Sequence, residues 1–259
     1  MKLASFNING IKARLEALTA WLTEAAPDVV VLQEIKSVDE NFPREHFQAM
    51  GYQVETHGQK AFNGVAILSK LPLSDIRRGL PGDDTDEQAR WIEAVVDGPR
   101  PIRVCGLYLP NGNPAPGPKY DYKLRWMARM EARVRDLLAS EEPFACLGDY
   151  NVIPQAVDAA KPEAWVTDAL FLPESRAALR RMENLGLTEA IRTRLPGPGV
   201  YTFWDFQAGA WERNNGIRID HVMLSPQAAD RLADAGIDKA TRGGDKPSDH
   251  VPVWVRLDA

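Results

Sequence analysis

Apolar positions along the chain fall into short runs separated by amphipathic stretches. Lys2 to Asn7 reads as a strand, and Leu15, Leu18, Trp21 and Leu22 then recur at the three- and four-residue spacing of a helix face. Pro27-Asp28 closes that helix. Val29, Val30, Val31 and Leu32 follow as a β-branched run suited to a strand buried on both sides, and it delivers Glu34 at its end. The opening is therefore predicted to be strand, helix, strand.

Gly64 to Leu68, Trp91 to Val96 and Ile102 to Leu109 read as further strands, separated by turn-rich stretches such as Leu80 to Asp84 and Asp97-Gly98-Pro99. A long helix is predicted from about Tyr120 to Ala139, with Leu124, Met127, Val134 and Leu138 as its buried stripe. The Pro/Gly cluster from Pro110 to Pro118 is too short for a domain linker and reads as a functional loop. The second half repeats the logic: a strand ending at Asp149, a long polar loop, a helix near Pro173 to Leu185, and strands around Ile217 to Leu224 and Val251 to Leu257. This pattern predicts an α/β protein, a four-layered α/β sandwich of two mixed β-sheets packed face to face and flanked by helices. No stretch of linker composition divides residues 1–259, so a single domain is expected. A weak internal repeat is conceivable, but the pattern does not demonstrate one.

Composition narrows the picture. A chain of 259 residues with 44% hydrophobic content can bury a sizeable core. The formal charge of −5 argues against a protein that coats polyanions through a diffuse basic surface, so any binding of nucleic acid must be local. Cys105 and Cys146 each lie inside an apolar run and read as buried, reduced thiols. With no charged-then-apolar leader and no 18-residue apolar run, a soluble, cytoplasmic monomer away from membranes is the expectation.

Polar residues gather where the apolar runs end. Asn7 follows the first, Glu34 the second, Tyr108 ends another, and Asp149 and Asn151 follow a fourth; Asp220 lies in a later run and Asp249-His250 precede the last. Each alone has an ordinary explanation as a turn residue or a surface ion pair. Together they suggest convergence, because strand ends can carry ligand-binding groups without disturbing the core. Hard oxygen donors such as Glu34, Asp149, Asn7, Asn151 and Asp249 suit Mg²⁺, with Mn²⁺ as a substitute, and suit zinc poorly. His46, His57, His221 and His250 form no zinc motif, and neither a serine-hydrolase elbow nor a P-loop occurs. Asp220 can hold the imidazole of His250 in one tautomer and stabilise its protonated form.

These residues resemble the exonuclease III family of the endonuclease/exonuclease/phosphatase superfold. The carrying segments are Ser5 to Gly10, Leu32 to Lys36, Gly58-Gln59-Lys60 with Asn63 to Ala66, Arg78 to Asp84, Tyr108 to Gly112, Leu147 to Asn151, Arg218 to His221 and Pro247 to Val253. They run from one end of the chain to the other in the family's order. The resemblance implies that Glu34 is a principal metal ligand, with Asn7 and Asp249 completing the coordination directly or through water. It implies that Asp149 and Asn151 position or activate the attacking water, that Tyr108 contacts the scissile phosphate, and that His250, oriented by Asp220, stabilises the phosphate or assists proton transfer. Which of Asp149 and His250 is the base stays open.

The same resemblance implies Mg²⁺-dependent cleavage of double-stranded DNA 5′ to abasic sites, leaving a 3′ hydroxyl, with 3′-to-5′ exonuclease and 3′-phosphate removal at recessed or blocked ends. Gln59, Lys60, Asn63, Arg90, Asn111 and Lys119 then face the DNA backbone, and Phe203 and Trp204 belong to an aromatic segment that walls an abasic-sugar pocket. Core packing is the competing expectation for Trp204 and Phe206. Two departures stand out: His221 follows Asp220 where relatives often carry an apolar residue, and the loop from Val152 to Phe171 matches poorly. The rival readings are a superfold relative acting on RNA or a lipid phosphoester, and a nucleic-acid-binding protein without catalysis. The Gly-Gln-Lys loop and aromatic segment weigh against the first, and the intact set Glu34, Asp149, Asn151, Asp220 and His250 against the second.

Overall fold

The computed structural model describes residues 1–258. In chain order its elements are β1 (Lys2–Asn7), α1 (Leu15–Ala25), β2 (Val29–Gln33), α2 (Arg44–Ala49), β3 (Gln53–His57), β4 (Val65–Ser69), β5 (Leu73–Arg78), β6 (Trp91–Val96) and β7 (Ile102–Tyr108). They continue with α3 (Pro118–Ala139), β8 (Phe144–Asp149), α4 (Pro173–Glu183), β9 (Thr188–Glu189), α5 (Ala190–Arg194), β10 (Asp220–Leu224), α6 (Pro226–Ala229), β11 (Leu232–Ile237) and β12 (Val253–Leu257).

The strands form two six-stranded sheets, ordered β11-β12-β1-β2-β4-β3 and β5-β6-β7-β8-β10-β9. Each sheet has one parallel pair, β1 with β2 and β7 with β8, and every other pairing is antiparallel. A helix crosses over between the members of each parallel pair, as parallel strands require. Position by position the two sheets therefore have the same order and directions, with β11 and β12 standing where β5 and β6 stand in the other. The internal repeat that the sequence does not show is present in the topology.

Three apolar layers follow from strand alternation. Between the sheets, Val29, Val31, Val65 and Ile67 meet Ile92, Val104, Leu147 and Val222. The opposite faces pack on helices: Val30 and Leu32 with Leu18 and Trp21 of α1, and Cys105 and Cys146 with Trp126 and Met130 of α3. Sheet contact is close at Gly106, where a Cβ would stand 2.3 Å from Val31 Cγ1. The result is the four-layered sandwich expected from the pattern. No helix among the described residues is long and apolar enough to cross a membrane.

Two expectations need correction. The buried stripe of α3 is Tyr120, Lys123, Trp126, Met127, Met130, Val134 and Leu137, so Leu124 and Leu138 lie at its margin. An expectation built on aliphatic residues alone misplaced the stripe, because a lysine occupies its centre. The strands around Ile217 and Val251 begin later, at Asp220 and Val253, since Ile217 and His250 are drawn into single bridges with Phe203.

Candidate active site

Two parallel pairs end side by side, and those ends carry the chemistry. Asn7 closes β1 and pairs with Gln33, so Glu34 leaves β2 beside it. Tyr108 closes β7 opposite Asp149, and Asp220 opens β10 opposite the same Asp149. Ser248 Oγ donates to the Asn7 carbonyl at 2.7 Å, which fastens the Ser248-Asp249-His250 segment to the end of β1. Residues from across the chain are thereby brought together by sheet register and by the Ser248 hydrogen bond.

At the centre, Asn7 Nδ2 donates to Glu34 Oε1 at 2.9 Å and to Asp149 Oδ2 at 3.0 Å. His250 Nδ1 lies 2.9 Å from Asp220 Oδ2, and its Nε2 lies 3.6 Å from Asp149 Oδ2. One ligand atom from each of Glu34, Asp149 and His250 falls within 4.8 Å of the others. Asn9, Glu34, Lys36, Asn63 and Asn151 all have positive φ, a strained backbone state for such residues that the surrounding contacts hold.

The electrostatics follow from burial and crowding. Burial opposes charge on His250, yet the Asp220 and Asp149 carboxylates outweigh it and push the imidazole up to about 10. Burial raises Asp149 to about 7, aided by the Asp220 and Glu34 charges and opposed by His250 and the Asn151 amide. Burial also acts to raise Glu34, but Asn7, Lys36 and His250 together leave it below its ordinary value. Tyr108 is held protonated by burial and then by the Glu34 and Asp149 carboxylates, so its phenol is a donor at neutral pH.

Three crowded carboxylates call for a cation, and oxygen donors suit a hard divalent ion. Glu34 and Asp149 are the groups that could hold it. His250 is a poor ligand here, because carboxylates face both ring nitrogens and favour the doubly protonated ring. Asn7 is placed otherwise than the resemblance implies: its Oδ1 accepts from the Asn9 amide at 3.1 Å, and its NH₂ faces the carboxylates. It braces them and offers no oxygen. Asp249 accepts from Asn9 Nδ2 at 3.0 Å and stands outside the three-residue cluster. Asn151 is likewise committed, its Oδ1 to Asn111 Nδ2 at 3.3 Å and its Nδ2 to the Leu109 carbonyl at 2.9 Å.

Around this centre lies a polar rim. Arg90 stacks 4.7 Å from the Tyr108 ring and bonds the Tyr108 carbonyl. The loop bearing Gln59, Lys60 and Asn63 is fastened beside Glu34, because Ile35 and Lys36 donate to the Gly64 and Asn63 carbonyls. Gln59 Oε1 accepts from Asn63 Nδ2 at 2.8 Å and the Ala89 amide at 3.0 Å, whereas Lys60 and Lys119 are simply exposed. Phe203 meets His250 edge-on at 5.0 Å. Trp204 does not join that wall: it is 0% exposed, packs on Trp211 and donates to Asn214. The core reading is correct for Trp204, while Phe206 is 51% exposed over Arg242.

Sequence reasoning missed Asn9, Lys36 and Ser248. Lys36 Nζ joins Glu34 Oε2 at 3.0 Å and Asn9 Oδ1 at 2.6 Å. A signal for Asn9 was available: Asn7-x-Asn9 and Asp149-x-Asn151 are the same turn, with the side-chain oxygen accepting the amide two residues on.

The model of the Endonuclease/Exonuclease/phosphatase family matches residues 4–250. The chain belongs to that family. Among curated family relatives, the exodeoxyribonuclease III of Haemophilus influenzae is 36% identical, over 99% of this chain and 100% of that protein. Among solved structures, the 3′-5′ exonuclease NExo of Neisseria meningitidis superposes with a TM-score of 0.96 at 36% identity, covering 100% of both chains. An AP endonuclease from Archaeoglobus fulgidus gives 0.95 at 34%, again covering 100% of both. Membership accounts for the two-sheet sandwich and makes the cluster at the strand ends the candidate hydrolytic centre.

Proposed function

We propose that this protein is a DNA repair nuclease that hydrolyses phosphodiesters with Mg²⁺, incising 5′ to abasic sites and trimming blocked 3′ ends. The observation that carries the reading is the convergence of Glu34, Asp149 and His250 within 4.8 Å, with Asp220 behind the imidazole. Support for DNA as the substrate comes from the relatives, which include a Neisseria 3′ phosphatase bound to a product DNA hairpin.

When bound, Mg²⁺ neutralises phosphate charge and stabilises the leaving oxygen. The chain's own groups do the rest. His250, kept charged between Asp220 and Asp149, donates a strong hydrogen bond to a phosphate oxygen. Asp149 is the carboxylate in reach of both Asn7 and His250, and it takes the proton of the attacking water. The neutral Tyr108 phenol, steadied by Arg90, donates to the same phosphate. Asn111, braced by Asn151 behind it, presents its amide to the backbone, and Phe203 supplies an apolar wall for a sugar that has lost its base.

A duplex oligonucleotide with one abasic analogue tests this directly. Incision is expected with Mg²⁺, none with chelator, and none in folded Asp149→Asn or His250→Asn protein. Undiminished cutting in chelator, or turnover confined to RNA or lipid phosphoesters, would overturn the reading.

A further inference from the structure

The centre of the buried face of α3 is a lysine. Lys123 is 0% exposed, and its Nζ donates to the carbonyls of Asn111 at 3.0 Å, Asn151 at 2.6 Å and Ala169 at 3.2 Å. Those carbonyls belong to three separate segments: the loop after β7, the loop after β8, and the stretch leading into α4. An ammonium has three N–H donors and no acceptor, so three carbonyls satisfy it fully. Burial pulls the Lys123 pKa down to about 7, but a neutral amine would turn its lone pair toward one of the carbonyls, so the three acceptors favour the ammonium. Filling space on a helix face needs only an apolar residue, and a buried charge is a costly substitute unless every proton is used.

The segments it joins carry site residues. Asn111 Nδ2 donates to Asn151 Oδ1 at 3.3 Å, so Lys123 grips the backbone of both members of one amide pair. Asn151 has φ +46°, a strained state held from two sides: Asp149 Oδ1 accepts its amide at 2.9 Å and Lys123 binds its carbonyl. The next carbonyl, that of Val152, lies 3.0 Å from His221 Nε2. Two successive carbonyls are therefore pinned by buried side chains. Packing leaves no slack, since a Cβ on Gly112 would stand 2.7 Å from Lys123 Cδ and 3.1 Å from Ala169 Cβ.

We propose that Lys123 is a positioning residue which, through the Asn111, Asn151 and Ala169 carbonyls, sets the Asn111–Asn151 amide pair against the scissile phosphate; this rests on the nuclease reading above. Lys123 itself touches no substrate. Its removal lets the pair drift, and misplacement on the scale of an ångström lowers turnover far more than it lowers binding.

The test combines kinetics on a 3′-recessed duplex, amide hydrogen exchange and NMR of the full chain. In unsubstituted protein the Lys123 ammonium is expected to show three slowly exchanging protons, coupled across hydrogen bonds to the Asn111, Asn151 and Ala169 carbonyl carbons. Lys123→Met is expected to lower kcat about 100-fold with KM changed by less than about threefold, and to speed exchange around Asn111 and Asn151. Lys123→Arg, which keeps the charge in a planar fork, is expected to fall between, about tenfold down. Unchanged kcat in folded Lys123→Met protein would overturn the proposal. Should that variant not fold, rapid exchange of the native ammonium protons would overturn it instead. Inertness of the unsubstituted protein on DNA would sink the nuclease reading, while the exchange comparison would still judge Lys123.

Discussion

His250 Nδ1 and Asp220 Oδ2 lie 2.9 Å apart, although 30 residues separate them in the chain. Both are buried, and the second oxygen of Asp220 has no hydrogen-bond partner. That arrangement concentrates the carboxylate charge on the imidazole and leaves His250 protonated well above neutral pH.

Asp220→Asn is therefore expected to remove the main charge holding that proton. Sign follows from the pKa: His250 is pushed up to about 10, so its charged form persists across the neutral range. In the variant the charge is lost at lower pH, and the alkaline limb of the rate profile moves toward neutrality. At pH 8, kcat should fall roughly 100- to 10,000-fold. A profile between pH 6 and 10 that keeps its shape would show that Asp220 does not set His250.

Asp149 makes an opposite prediction for stability. Its native pKa is raised from 3.8 to about 7, so the folded protein holds this proton more tightly than the unfolded chain does. Its ionisation therefore opposes folding as pH rises from about 4 to 7, and the cost persists above. Metal-free Asp149→Asn protein should be more stable than the unsubstituted protein by roughly 1–3 kcal/mol at pH 8 and nearly equal at pH 3, below the unfolded carboxyl pKa. Urea unfolding at the two pH values checks this, and a gain that is larger at pH 3 would contradict it.

Divalent ion should reverse that order. Mg²⁺ at about 100 times its dissociation constant stabilises a protein that binds it only when folded by roughly 2.7 kcal/mol. The unsubstituted protein should gain on this scale, whereas Glu34→Gln, lacking one carboxylate of the cluster, should gain little. Thermal melting with and without Mg²⁺ measures both, and an equal shift in the two proteins would remove Glu34 from the site.

Much of this was legible in the sequence because strand burial writes itself as β-branched runs. Val29 to Leu32 predicted β2, and Glu34 and Asp149 were placed at strand ends before any geometry. The edge strands β3, β5 and β11 were not legible: β5, Leu-Ser-Asp-Ile-Arg-Arg, buries none of its residues fully, and β11 opens with half-exposed Leu232 and Ala233. Register was also out of reach, and only the hydrogen bonds to Glu34, Asp149 and the Asn9 amide show that Asn7 turns its NH₂ inward. Lys123 escaped because a lysine in a helix pattern reads as solvated, and only the three carbonyls reveal why it is inside. Trp204 and Phe203 are adjacent, and sequence offers no means of telling which faces the core.

His221, the departure noted after Asp220, belongs to a buried polar network behind the site. Arg218 Nε bonds Asp158 Oδ1 at 2.8 Å, and its Nη1 lies 2.9 Å from both Glu189 Oε2 and His221 Nδ1. The His221 Nε2 contact to the Val152 carbonyl requires a proton there, so Nδ1 is the acceptor and the ring is neutral. Burial and then the Arg218 charge lower its pKa, in agreement. Asp158 feels burial as an opposing influence, but Arg218 and Arg192 outweigh it and hold its pKa below 3.8. Its stabilisation is thus present above the unfolded pKa and is lost as pH falls through the folded one. Removing Asp158 leaves the buried Arg218 charge with Glu189 as its remaining carboxylate, so Asp158→Asn should cost up to roughly 3–5 kcal/mol at pH 7 and less at pH 3. Urea midpoints at both pH values decide the matter: a loss below about 1 kcal/mol at pH 7 would mean that Glu189 alone neutralises Arg218.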